Sequence, residues 1–342
     1  MATILILGAG VMGSALAVPA SDNGHIVLLA GTPLDAPIID QLKQKGGIHP
    51  KFDSPLPNTV QVLANEELTA EHAEAADLVV VGVSSPGIDW AVNRLNGLLA
   101  SDKPIAFVTK GLDRDGERVV TYAETLPHRI RRMATFIGIG GPCIAKELAS
   151  RLPTLSVYSG PDREATGWAA ELMRTPYYRL AVTEDVTGVE ACAALKNFFA
   201  IGVSAMQTRY PDPTRPDGQS KNPTAGAFNQ ATQEMAALCE RIGGRRATAF
   251  DLAGLGDLHV TVGGGRNSRL GHGLGQGRSV SEVKAGELAG ETVEGIDTAR
   301  VVLALLSQIE NAESEFPLAT AITNAVTTNG KLAFDFGRLG AM

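Results

Sequence analysis

A short apolar run, Thr3 to Leu7, stops abruptly at three glycines, Gly8, Gly10 and Gly13, and an Ala- and Val-rich stretch opens among them. The run reads as a strand buried on both faces of a parallel sheet. The stretch from about Val11 to Ser21 reads as a helix, ended by Asn23-Gly24. A second apolar run, His25 to Ala30, completes a strand–helix–strand unit. In that setting Gly8 permits a tight turn, Gly10 clears space beside the backbone, and Gly13 lets the helix approach the sheet. Val11 and Met12 open the helix, where unpaired N–H groups and the positive end of the dipole face an anion. The unit therefore predicts a dinucleotide ligand, held by its pyrophosphate.

Further runs continue the alternation: Val60 to Leu63, Asp77 to Val83, Ile105 to Thr109, Thr135 to Ile139 and Leu155 to Tyr158. Pro86 begins a helix, a favourable first-turn position. After about Thr183 the pattern becomes helical, over Val186 to Met206, Ala225 to Ile242, Leu270 to Gly275, Ser281 to Leu288, Gly295 to Ile309 and Leu318 to Thr327. The expected architecture is an α/β, doubly wound (Rossmann-type) N-terminal domain, residues 1–183, followed by a mostly α-helical C-terminal domain, residues 184–342.

Composition narrows the partners. A net charge of −7 argues against general nucleic-acid binding. Cys143, Cys192 and Cys239 are sparse, odd in number and far apart, which fits free thiols in a reducing compartment and hence the cytoplasm. Neither they nor the histidines show metal-ligand spacing, so no metal is expected. No stretch reads as approaching the roughly 20 apolar residues of a membrane span, so no membrane partner is expected. The helical half offers apolar surface for a homodimer.

The choice between NAD and NADP is read at the end of the second strand, Ala30-Gly31-Thr32, where no acidic residue precedes Asp35. Nothing there repels a 2′-phosphate, and no arginine attracts one; the pattern leans to NADP. Ser84 and Ser85 follow the Asp77–Val83 run at the carboxyl edge where ligands bind, although Ser85 alone is equally well read as a helix cap.

Several separated blocks carry a more specific signal: Thr109-Lys110-Gly111, Gly141-Pro142-Cys143-Ile144-Ala145-Lys146-Glu147, Gly188-Val189-Glu190 leading to Ala194-Leu195-Lys196-Asn197, Leu252 to Leu258, Gly265-Arg266-Asn267 and Val293-Glu294-Gly295. In this order and over nearly the whole chain they resemble the NAD(P)-dependent glycerol-3-phosphate dehydrogenases. The resemblance implies reversible reduction of dihydroxyacetone phosphate to sn-glycerol 3-phosphate, a reaction that feeds phospholipid synthesis. It implies Lys196 as proton donor and acceptor and Asp257 in the substrate site. Lys110, Gly141, Cys143, Gly265, Arg266 and Asn267 would meet the substrate. Thr32, Ser84, Lys110, Ala145, Arg266, Thr292 and Glu294 would meet the cofactor.

The residue types fit that chemistry. Reducing a ketone needs a proton for the oxygen, and a lysine in a partly desolvated site can supply it. From the residues alone Lys196 is open to two readings, a catalytic lysine or a snorkelling surface lysine in an apolar helix. Asp257 would orient the ammonium, or else it is a turn or cap aspartate. Arg266 suits a phosphate bidentately. Glu294 could equally cap the helix that follows it.

The chain departs from the family at three places. Gly265 and Cys143 replace hydroxyl-bearing residues, which leaves open a dehydrogenase for another polyol phosphate or a hydroxy acid. A longer segment, Thr208 to Pro223, replaces a short connection and reads as a lid, an interface or a tolerated surface insertion. A non-catalytic dinucleotide sensor is the remaining alternative, and retention of Lys196 with Asp257 speaks against it.

Overall fold

Ten strands form among the described residues: β1 (Thr3–Leu7), β2 (Ile26–Ala30), β3 (Val60–Leu63), β4 (Leu78–Val81), β5 (Lys103–Phe107), β6 (Leu112–Asp115), β7 (Arg118–Thr121), β8 (Met133–Gly140), β9 (Thr154–Ser159) and β10 (Tyr178–Thr183). The structure is a computed structural model and describes residues 1–44, 47–116 and 118–340. One sheet of eight strands runs β10-β9-β8-β5-β4-β1-β2-β3. From β3 to β8 all pairings are parallel. Chain order reverses at β1, which has β2 on one side and β4 on the other. The glycine turn leaves the carboxyl end of β1, the switch point at which open α/β sheets bind ligands.

Alternation along the strands fills both faces. Ile4, Ile6, Val27, Leu29, Leu78 and Val80 pack on one side; Leu5, Leu7, Leu28, Val79, Val81 and Phe107 pack on the other. Strands covered on both sides carry continuous apolar runs, which is why they are readable.

Two features depart from the expected alternation. β9 is antiparallel to β8, and β10 extends the sheet beyond it. β10 gives little sequence signal because Arg179 and Ala181 are exposed while Tyr178 and Leu180 are buried, the pattern of an edge strand.

Contacts divide the chain into one unit of Met1–Lys110 with Tyr122–Val189 and a second of Gly111–Thr121 with Glu190–Met342. Composition places the change after residue 183; the contact boundary falls between Val189 and Glu190, within the helix Val186–Arg209, and the β6–β7 hairpin groups with the second unit. That helix also corrects the expectation about membrane spans. It is long and apolar enough to cross a bilayer, yet 94% of its apolar window is buried inside the protein. A helix apolar all round is what a core position requires.

In the second unit, the helix Pro317–Thr327 is anchored by Glu234. This carboxylate accepts from the backbone N–H of Leu318 (2.9 Å) and Ala319 (2.7 Å) and from Gln230 (2.9 Å). Burial pushes the carboxyl up to about 7, against the pull of Gln230 and the two backbone donors. The folded state thus retains a proton that an unfolded chain releases near the ordinary 4.5. The stability Glu234 contributes is therefore fully present below about pH 4.5 and declines by about 3 kcal/mol as pH rises through about 7. Urea unfolding at pH 5 and pH 8 should show that decline in the wild type and a shallower one in Glu234→Gln; equal slopes would refute the assignment.

Candidate active site

The first unit gathers its expected ligand residues at the carboxyl ends of its strands. Gly8 has φ +113° and donates its N–H to Ala30 O at 2.8 Å, closing the turn against β2. A Cβ on Gly13 would lie 2.1 Å from Gly8 O, so the helix Val11–Asp22 starts as close to the turn as backbone allows. At Gly82, just past β4, a Cβ would meet Gly13 Cα at 3.0 Å. Gly82 is a partner in this approach that the sequence motif does not reveal. Beside Gly10 a Cβ would meet nothing within 4 Å. An open cradle over a helix N-terminus with first-turn N–H groups at Val11 and Met12 fits a dinucleotide pyrophosphate.

The end of β2 offers no free carboxylate. Asp35 Oδ2 accepts from Thr32 N–H at 2.8 Å and from Ala9 N–H at 3.0 Å, and Thr32 Oγ1 accepts from Leu34 N–H at 3.3 Å. Ser84 precedes the turn Ser85–Gly87 with its hydroxyl making no cap bond. Ser85 donates to Lys110 O at 3.1 Å, and Thr109 donates to Val83 O at 2.6 Å, which ties the segments after β4 and β5 together. Gly141 (φ +99°) and half-buried Cys143 form the turn after β8, before a short helix that Ala145 begins.

The second unit holds the groups with acid–base chemistry. Lys196, on the helix Val186–Arg209, is only 7% exposed, which removes the snorkelling reading. Its Nζ donates to Asp257 Oδ1 at 2.8 Å and to Thr261 Oγ1 at 2.7 Å. Asp257 opens the helix Asp257–Val262 after a π-helical turn, Leu252–Gly256. Thr261 lies four residues on, one turn along the same face, and its hydroxyl donates to Asp257 O at 2.7 Å. Sequence reasoning missed Thr261; its i, i+4 spacing from Asp257 was the available signal.

Matches to known proteins cover both units of the chain. A family model described as the NAD-dependent glycerol-3-phosphate dehydrogenase N-terminus matches residues 3–166, and the corresponding C-terminus model matches residues 185–333. The NADP(+)-dependent glycerol-3-phosphate dehydrogenase of Archaeoglobus fulgidus is 37% identical over 91% of this chain and 92% of its own. The chain belongs to the NAD(P)-dependent glycerol-3-phosphate dehydrogenase family. A glycerol-3-phosphate dehydrogenase [NAD(P)+] of Aromatoleum aromaticum is 33% identical over 93% of this chain and 92% of its own. Among solved structures, glycerol-3-phosphate dehydrogenase from Coxiella burnetii superposes with a TM-score of 0.80 at 26% identity, covering 96% of both chains.

The remaining family-implied positions form a network beside Lys196. Asn197 Nδ2 donates to Glu294 Oε2 at 3.0 Å, and Arg266 Nη2 lies 3.3 Å from Glu294 Oε1. Asn267 donates to Asn197 Oδ1 at 3.1 Å and accepts from Gly295 N–H at 2.9 Å. Asn267 is buried and engaged at both ends of its amide, so in this conformation it joins helices rather than facing a ligand. Glu294 is the first residue of its helix, with Val293 at the cap position, and Thr292 is exposed. Arg266 begins the helix Arg266–Gly275 directly after Gly265. Its pairing with Glu294 is half exposed and costs about 1 kcal/mol or less to break. The long segment after residue 208 walls a cavity of about 500 Å³ in this unit, together with Arg269, His272 and Arg278.

Proposed function

We propose that the chain catalyses the reversible NAD(P)-dependent reduction of dihydroxyacetone phosphate to sn-glycerol 3-phosphate, with Lys196 as the proton donor. The observation that carries this reading is the buried Lys196–Asp257 pair, 2.8 Å apart, in a chain 37% identical to a protein named for this activity. When bound by the glycine turn, the reduced dinucleotide supplies the hydride for the ketone carbon. The open cradle at Gly10 and the N–H groups of Val11 and Met12 support that placement, and a β2 end without a free carboxylate supports acceptance of a 2′-phosphate.

Lys196 presents an ammonium N–H to the substrate ketone oxygen and gives up that proton as the C–O bond becomes an alcohol; in the oxidative direction the amine takes it back. Asp257 and Thr261 hold the ammonium in one orientation, which removes rotational freedom before reaction. Arg266 takes the substrate phosphate by exchanging Glu294 for a doubly charged partner, assisted by the helix N-terminus after Gly265. Asn267 keeps Asn197 and Gly295 in place around it. Cysteines held outside any disulfide support a cytoplasmic setting.

The direct test is loss of NADPH or NADH absorbance with dihydroxyacetone phosphate, set against unphosphorylated dihydroxyacetone and simple keto acids. Preference for an unphosphorylated substrate would overturn the reading. Arg266→Ala should raise KM for the phosphorylated ketone by about 10- to 100-fold with kcat changed much less. An unchanged KM would move the phosphate site elsewhere.

A further inference from the structure

Asp257 reaches Lys196 by way of an uncommon turn. Its backbone N–H donates to Leu252 O, and that of Gly256 donates to Asp251 O at 3.2 Å. Each bond spans five residues, where an α-helix spans four. The segment Leu252–Gly256 therefore holds one residue more than an α-helical turn, which rotates whatever follows by about 100°. The result inverts the ordinary preference for burial: apolar Leu255 is 40% exposed, whereas Asp257 is 3% exposed. Asp257 and Thr261, one turn apart, share a helix face with buried Leu258 and Val262. Gly254 fixes the turn from behind. A Cβ there would lie 2.2 Å from Ala249 O and 2.5 Å from Ala249 Cα, so two stretches of backbone touch and neither can swing aside.

We propose that Gly254 is a positioning residue for proton transfer: seated on the Ala249 backbone, it sets the phase of the wide turn and so aims Asp257 and Thr261 at the Lys196 ammonium. A turn that leaves a leucine in water and carries a carboxylate into the interior gains nothing for packing. What it gains is a carboxylate oxygen 2.8 Å from Lys196 Nζ and a hydroxyl 2.7 Å from it. Without the additional residue the same face would point about 100° away, and the ammonium would lose both partners. The proposal rests on Lys196 being the proton donor.

The test is steady-state reduction of dihydroxyacetone phosphate by NADPH, in H2O and in D2O, with three variants of the full-length protein. Gly254→Ala drives a methyl into the Ala249 carbonyl and should lower kcat by about 10²-fold, the cost of misplacing a catalytic group by about 1 Å. Deletion of Leu255 removes an exposed residue, returns the turn to α-helical spacing and should lower kcat at least as far. Asp251→Ala removes the carboxylate that accepts from Leu252 N–H at 2.8 Å; the side chain is exposed, the fold survives, and kcat should fall by about tenfold. KM for NADPH should stay within about twofold throughout. The solvent isotope effect on kcat should rise in each variant, because a misaimed ammonium slows the proton step itself. A general loss of folded enzyme would lower kcat and leave the isotope effect unchanged. Wild-type kcat in any folded variant, or a lowered kcat with an unchanged isotope effect, would overturn the proposal. Lys196→Met separates the two levels. If it keeps turnover, Lys196 is not the proton donor; if it loses turnover while the three turn variants keep theirs, only the positioning role fails.

Discussion

Lys196→Met should lower kcat by about 10²- to 10⁴-fold, the range that a positioned general acid contributes, while NADPH binding in the first unit stays intact. The side chain touches both Asp257 and Thr261 and carries a transferable proton on its nitrogen. Methionine keeps its length and apolar stem and removes that proton. A second effect must be separated from the first. Lys196 and Asp257 are 9% and 4% exposed at the side chain, so losing the ammonium strands a buried carboxylate at a cost of about 3–5 kcal/mol. Adding Asp257→Leu replaces the pair with apolar groups and should recover most of the stability without recovering turnover. Urea unfolding and steady-state NADPH oxidation on both variants distinguish the outcomes. Turnover within about tenfold of wild type in the folded double variant would remove Lys196 from proton transfer.

Gly13→Ala carries the next largest effect. The new methyl would sit 2.1 Å from Gly8 O and 3.2 Å from Gly8 C, and a backbone carbonyl cannot swing away as a side chain can. The helix Val11–Asp22 must therefore lift off the turn, at the roughly 1–3 kcal/mol or more of an overpacked core. Its first-turn N–H groups move with it, so NADPH affinity should fall by at least about tenfold together with the melting temperature. Gly97→Ala is the matched control. Gly97 lies in the helix Ile88–Leu98 and a Cβ there meets nothing within 4 Å, so alanine should raise stability by about 0.5–1 kcal/mol and leave cofactor affinity alone. Equal behaviour of the two variants would show that close packing at Gly13 is not what shapes the turn.

Much of the first unit is legible from local patterns. Thr3–Leu7 and Val60–Leu63 have the bounds their apolar runs suggest, because a strand covered on both faces needs only a continuous apolar run and a turn residue to end it. β10 and the β6–β7 hairpin escape such reading. The first alternates as an edge, and the second is rich in charge, as Asp113, Arg114 and Asp115 show. The long helix Val186–Arg209 is legible as a helix, but its apolar length alone does not distinguish a core helix from a membrane-crossing one.

The glycine turn is open to reading along the chain because it rests on a residue type at a set spacing. Lys196, Asp257 and Arg266 stand out through the blocks that resemble a known family, and the residues alone leave Lys196 and Asp257 with two readings each. The partnerships are not open to reading along the chain. Lys196 meets Asp257 across 61 positions, Asn197 meets Glu294 across 97, and Ala9 meets Asp35 across 26. Hydrogen bonds at such separations leave no periodicity in the sequence. They exist because burial removes water from both partners and makes an unpaired polar group costly. Asp35 shows the consequence most plainly: an acidic residue close to the expected ribose position is held on the protein's own backbone, and the folded chain alone reveals that the carboxylate is already spent.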